Sequence, residues 1–99
     1  MDVQTLIKLL ADVKQNNQIF FEDSKKRLLG ISSISSDVTN ENHSVLLNLN
    51  YHSHKTLKAW ELVVLLKQCP AAAIIWVQNQ KKRQQIFGIR FAGVQIYLK

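Results

Sequence analysis

The chain has one cysteine, one proline and three glycines among its 99 residues. A single thiol, Cys69, rules out an intramolecular disulfide, and a reducing, cytoplasmic setting is the expectation that follows. Acidic residues are scarce too: seven Asp and Glu stand against 13 Lys and Arg. They are scattered at Asp2, Asp12, Glu22, Asp23, Asp37, Glu41 and Glu61, and only Glu22 and Asp23 adjoin. That pair directly precedes Lys25-Lys26-Arg27, so a charged turn with local ion pairing accounts for it better than acid–base catalysis. The sequence contains no Gly-rich phosphate loop, no Ser or Cys in a nucleophile motif and no His-Glu-x-x-His helix. A non-enzymatic protein without a cofactor or small-molecule substrate is therefore expected. Long hydrophobic runs are missing as well. The longest, "PAAAIIWV", falls far short of the roughly 20 residues that span a bilayer. The start, "MDVQTLIKLLADVKQ", carries charges throughout and lacks the apolar core of a signal peptide. A soluble protein with no membrane partner is the expectation.

A hydrophobic content of 46% suits one domain over residues 1–99, large enough to bury a modest core. Within it a phrase recurs: "SKKRLLGIS" in the first half and "QKKRQQIFGIR" in the second. Other features align around it. "VQTLIKLLADVKQ" sets Val3, Leu6, Ile7, Leu10 and Val13 at helical spacing, with Asp2 as a cap and Asn16-Asn17 as a stop. "QIFFED", "LLGISSI" and "SVLLNLNY" read as three strands, with "SSDVTNENH" as a loop before the last. After "HSHK" the order restarts: Thr56 as a cap, the helix "LKAWELVVLLKQ" ended by Pro70, then "AAAIIWV", "IFGIRF" and "VQIYLK" as strands. The reading is an α+β fold, a tandem duplication of a helix plus three strands (αβββ-αβββ). The repeats cover about residues 1–52 and 55–99, with helices over 3–15 and 57–68 packed on a mainly antiparallel sheet. One unit of ~50 residues is near the lower limit for burying a core alone, so two would share one.

The last hairpin reads in register if Ala92-Gly93 is its turn, which sets Phe91, Ile89 and Phe87 opposite Val94, Ile96 and Leu98. The second helix carries more apolar surface than one stripe requires. Leu57, Trp60 and Val64 are candidate contacts for a homodimer, and the C-terminal edge strand is a second route.

His52 and His54 lie two apart, on one side of an extended segment, as a metal pair would require. His43 lies a strand of about 25 Å away, so a solvated linker is the preferred reading and no metal site is expected. Cys69 reads as a space-filling thiol. Charge is more informative. Residues 1–54 hold five Lys/Arg and six Asp/Glu, a balance of −1, while residues 55–99 hold eight and one, a balance of +7. Lys81, Lys82 and Arg83 form a basic turn, and Arg90, Tyr97 and Lys99 share a strand face. Cations for phosphates beside an aromatic for a base form the recipe for single-stranded nucleic acid. An acidic protein surface would be drawn to the same patch. Lys25-Lys26-Arg27, neutralised by Glu22 and Asp23, is the expected internal control.

"TLKAWELVVLLKQCPAAAIIWV", residues 56–77, resembles the helix, Pro-containing break and strand of small phage, prophage or plasmid accessory proteins. The first half has Asn-Asn where that pattern has Pro. The resemblance implies an accessory protein of a mobile element and transfers no site residues. The functional expectation is a small binding protein whose second half engages an anionic partner, with nucleic acid as the first candidate. A protein–protein module, an inhibitor of a host factor or a homodimeric adaptor, is the alternative.

Overall fold

A computed structural model describes residues 1–39, 42–53 and 55–99, the side chains of 37–39 and 42 excepted. In chain order the elements are α1 (Val3–Leu10), β1 (Gln18–Glu22), β2 (Leu28–Thr39), β3 (Asn42–Asn50), α2 (Ala59–Leu66), β4 (Ile74–Asn79), β5 (Lys82–Gln85), β6 (Ile89–Ala92) and β7 (Gln95–Leu98). The strands form one mixed sheet of seven, ordered β5-β4-β3-β2-β1-β7-β6. β3 runs parallel to β4 and β1 parallel to β7, and the other neighbours are antiparallel.

Connectivity forces this sheet to curl. β5 and β6 are its two edges, yet only residues 86–88 separate them in the chain. A flat sheet of this width would hold its edges roughly 29 Å apart, at about 4.8 Å per strand spacing. The link from Gln85 to Ile89 reaches at most about 14 Å. The edges must therefore approach each other, and the apolar faces enclose the core. Val3, Leu6 and Leu10 of α1 and Ala59, Leu62 and Leu66 of α2 share that core with Ile19, Phe21, Ile31, Val45, Leu47, Ile75, Val77, Ile96 and Leu98 from the strands.

The tandem αβββ-αβββ arrangement on a mainly antiparallel sheet is not what the chain adopts. The protein is mostly sheet, with two helices of eight residues each rather than repeated α+β units. Three strands follow α1 and four follow α2. The extra strand is β5, "KRQQ", whose polar residues conceal it from a hydrophobic-pattern search. An edge strand tolerates such a composition because one side of it is never covered. β1 lies between β2 and β7 and β4 between β3 and β5. Each is antiparallel to the strand that follows it and parallel to the last strand of the other half, so the sheet is mixed.

Gly30 and Gly88, which align in the repeated phrase, do different things. Residues 55–58 insert beside β1 and β2: Leu57 donates its N–H to Ile31 O at 3.0 Å and accepts from the Ile19 N–H at 3.0 Å. The Thr56 hydroxyl accepts from the Ile31 N–H at 2.8 Å and donates to Ile19 O. A Cβ on Gly30 would lie 2.2 Å from the Lys55 carbonyl oxygen, whereas one on Gly88 would meet nothing within 4 Å. Thr56 thus stitches β1 to β2 instead of capping α2. Lys58 is the residue that caps α2, and its N–H donates to Glu61 Oε1 at 3.0 Å. Asp2 does cap α1, accepting from the Thr5 N–H at 2.8 Å.

In the last hairpin the turn is Gly93-Val94, with Gly93 at φ +62°. Arg90 therefore faces Tyr97, Phe91 faces Ile96 and Ile89 faces Leu98. The shift leaves Ile89, Phe91, Ile96 and Leu98 on one face and Arg90 and Tyr97 on the other, and it changes every partner. Phe87, expected opposite Leu98, is exposed, Val94 falls in the turn and Ile86 is buried. The segment expected as the loop 35–43 is largely strand, since β2 reaches Thr39 and β3 starts at Asn42. Among the described residues no helix is long and apolar enough to cross a membrane.

Candidate anion-binding groove

β1, β3, β4 and β7 all point the same way, because β1 and β3 are each antiparallel to β2, β3 is parallel to β4, and β1 to β7. The residues that follow β1, β4 and β7 leave the sheet at the same end. They are the turn at Lys25-Lys26-Arg27, the turn at Gln80-Lys81, and Lys99. The curl then brings the first two together. A groove of about 480 Å³ is lined by Asp23, Ser24, Lys25 and Arg27 on one side and by Asn79, Gln80, Lys81, Lys82 and Gln84 on the other. A contiguous groove of about 610 Å³ shares Asp23, Ser24 and Gln84 with it and adds Lys26, Gln85, Phe87 and Lys99.

The first turn is built around Asp23, which is 7% exposed. Its Oδ1 accepts from the N–H groups of Lys25 at 2.9 Å and Arg27 at 2.8 Å, and its Oδ2 accepts from Arg27 Nε at 2.9 Å. Burial pushes the Asp23 carboxyl up. The hydrogen bonds from Arg27 and Lys25, with the nearby guanidinium charge, outweigh that and hold it below the ordinary carboxylate value. Lys26, at φ +61°, completes the loop by donating its N–H to Asp23 O at 3.0 Å.

The second turn has no carboxylate among its described contacts. Gln80, at φ +56°, donates its N–H to the Tyr51 hydroxyl at 2.9 Å, and that hydroxyl donates to Asn79 Oδ1 at 2.8 Å. Gln78 Nε2 donates to Gln80 O at 2.8 Å, and Arg83 Nε to Gln78 Oε1 at 3.3 Å.

Both carboxylates of the groove are engaged, Asp23 by Arg27 and Glu22 by Arg90. Among the described residues, Lys25, Lys26, Lys81, Lys82 and Lys99 form no ion pair. Five ammonium groups therefore face water around one concave surface, where field lines concentrate and an anion is attracted.

Lys81, Lys82 and Lys99, named from the sequence, line these grooves; Arg83 sits beside them on β5. Arg90 and Tyr97 line neither. The Arg90 guanidinium lies 4.7 Å from the Tyr97 ring centroid while pairing with Glu22, and Phe20 packs edge-on to the same ring at 6.5 Å. Lys25 and Lys26 enter the site they were expected to control for. Gln84 and Gln85 were not singled out at all, and Phe87 was named only as the apolar partner of Leu98 in the last hairpin. The only sequence signal for the first turn was the repeated Lys-Lys-Arg itself.

No family model, curated protein or solved structure matches this chain. The groove has to be understood from its own chemistry. On α2, Trp60 is 47% and Val64 48% exposed, whereas Leu57 is half-buried against the core. Among the described residues no group of three or more His, Cys, Asp or Glu is placed to hold a metal ion. His54, half of the His-Ser-His pair, lies outside the described residues.

Proposed function

We propose that the chain is a non-enzymatic binding protein that captures a polyanion in the groove between its two basic turns, with nucleic acid as that polyanion. The observation that carries this reading is the convergence of five lysines without ion pairs on one concave surface. Each lysine that meets a phosphate releases a condensed counterion, so binding draws its free energy from salt release. The likeness of residues 56–77 to accessory proteins of phages and plasmids is compatible with a cytoplasmic nucleic-acid binder.

Titration of labelled DNA and RNA across a salt series tests this. The affinity should fall steeply with salt, with a log–log slope near −0.7 for each phosphate neutralised on a single strand. A protein carrying Lys25→Ser, Lys26→Ser, Lys81→Ser and Lys82→Ser should lose roughly two to three units of that slope. Absence of binding at low salt, or an unchanged slope in the variant, removes the proposal and leaves a protein partner.

A second reading rests on α2. Trp60 and Val64 are one helical turn apart and both about half exposed, so they form an apolar stripe on the outer side of the helix. That stripe supports a homodimer. Size-exclusion light scattering should then give a dimer mass for the native chain and a monomer mass for Trp60→Ser. A monomer mass across a wide concentration range would dismiss it.

A further inference from the structure

Phe87 is the most exposed large apolar side chain among the described residues, at 83%. Leaving a phenyl ring in water forgoes the favourable free energy of burying it. The exposure does not come from a loose backbone. The N–H groups of Phe87 and Gly88 both donate to Lys99 O, at 2.7 and 3.1 Å, and the Lys99 N–H donates to Gly88 O at 3.1 Å. On one side the neighbouring Ile86 is fully buried in the core. The ring is thus held out from a fixed frame, on the wall of the groove that Lys26 and Lys99 also line.

Two further residues line the same space. Gln84 and Gln85 line that wall, are half-buried and make no side-chain hydrogen bond among the described residues. Each offers two donors and two acceptor positions to a ligand. A flat apolar surface, free amides and ammonium groups in a groove of about 610 Å³ match the parts of a nucleotide: a base face, a base edge and a phosphate. Bases in a duplex are already stacked and paired, so they offer a protruding ring no face. Bases in a single strand do.

On these grounds, and resting on the polyanion reading above, we infer that the ligand is a single-stranded nucleic acid that stacks a base on Phe87. The two basic turns hold the backbone to either side of that base. An acidic peptide would use the lysines and leave the ring without a partner of matching shape.

The test uses the full chain and four probes: labelled oligothymidylate of about 12 nucleotides, the same strand made abasic, a duplex of equal length and inorganic polyphosphate. The native protein should bind oligothymidylate most tightly. Phe87→Ala should weaken that binding roughly tenfold, as loss of one base–aromatic stack does, and leave polyphosphate binding unchanged. Phe87→Trp should restore it. Equal binding of the base-bearing and abasic strands, or native-like binding of oligothymidylate by Phe87→Ala, overturns the stacking inference. If the four-lysine variant still loses affinity in that case, the polyanion reading survives alone. If the four-lysine variant binds every probe as the native protein does, both fall.

Discussion

Lys25-Lys26-Arg27 closes around a buried carboxylate, whereas Lys81-Lys82-Arg83 is propped by a phenol. In the first turn Asp23 gathers two backbone N–H groups and the Arg27 guanidinium. In the second, Tyr51 reaches over from the end of β3 to hold Gln80 and Asn79. The same tripeptide is in one place part of a structural knot and in the other a charged tip on a strand edge. Among the described contacts, a carboxylate organises the first turn and a hydroxyl the second. The lysines are alike in both turns, because Lys25, Lys26, Lys81 and Lys82 are all left for the groove. Identical residues thus rest on different supports and still present their ammonium groups to one groove.

The comparison breaks most sharply at the glycines that end the two phrases. Gly30→Ala sets a Cβ against the Lys55 backbone, where only a shift of the chain can relieve a 2.2 Å contact. A destabilisation on the order of 3 kcal/mol is expected, since overpacking against backbone has no side chain to absorb it. Gly88→Ala meets open space and should change stability by no more than about 0.5 kcal/mol. Chemical denaturation of both variants measures the contrast. Equal costs would mean that residues 55–58 are not inserted as described.

Asp23 is next. Asp23→Ala strands the N–H groups of Lys25 and Arg27 and frees a guanidinium, at a cost of about 2 kcal/mol. The carboxyl's folded-state pKa lies below its ordinary value of 3.8. The stability it contributes is therefore present above that value and is lost as pH falls through the folded pKa. Thermal unfolding followed from neutral pH into acid should show this loss in the native protein and a smaller one in Asp23→Asn. Loss of the same size in both would mean that Asp23 does not organise the turn.

How far the sequence foretells this arrangement follows from which signals are local. The Asp2 cap, the Val3-Leu6-Leu10 stripe and the alternation Val45-Leu47-Leu49 are properties of short segments, and each appears in the structure. The parallel pairings of β1 with β7 and β3 with β4 leave no local trace, because each residue alternates inward and outward whatever its neighbour's direction. Once those pairings are hidden, so are the curl and the meeting of the two turns. The duplicated phrase invites a duplicated fold, but its glycines answer to different surroundings. In the groove, Lys81, Lys82 and Lys99 stand out from charge asymmetry alone. Lys25 and Lys26 are masked by the adjacent Glu22-Asp23, which the fold commits elsewhere, and Phe87 reads as one more core residue in "IFGIRF".

A smaller effect distinguishes the turns by function rather than stability. Lys25→Ser with Lys26→Ser, and Lys81→Ser with Lys82→Ser, should each flatten the salt slope of single-strand binding by about 1.4 units, two phosphates at 0.7 each. Neither pair should move stability by more than about 0.5 kcal/mol, because exposed turn charges contribute little. A flattened slope in the second pair alone would return the first turn to a purely structural role.

The smallest expected change in binding lies on the other face of the sheet. Tyr97 is the aromatic that the sequence offers for base stacking, but its ring already lies under the Arg90 guanidinium at 4.7 Å and against the Phe20 edge. Its hydroxyl donates to Gln95 Oε1 at 2.8 Å. To stack a base there, the chain would have to lift Arg90 and break its pairing with Glu22. Tyr97→Leu should therefore alter single-strand affinity by less than about twofold, some 0.4 kcal/mol. The same variant should lower stability by about 1 kcal/mol through the lost cation–π and edge-to-face contacts. The two readouts separate the roles. A large loss of affinity without loss of stability would place the base on Tyr97 and take Phe87 out of the site.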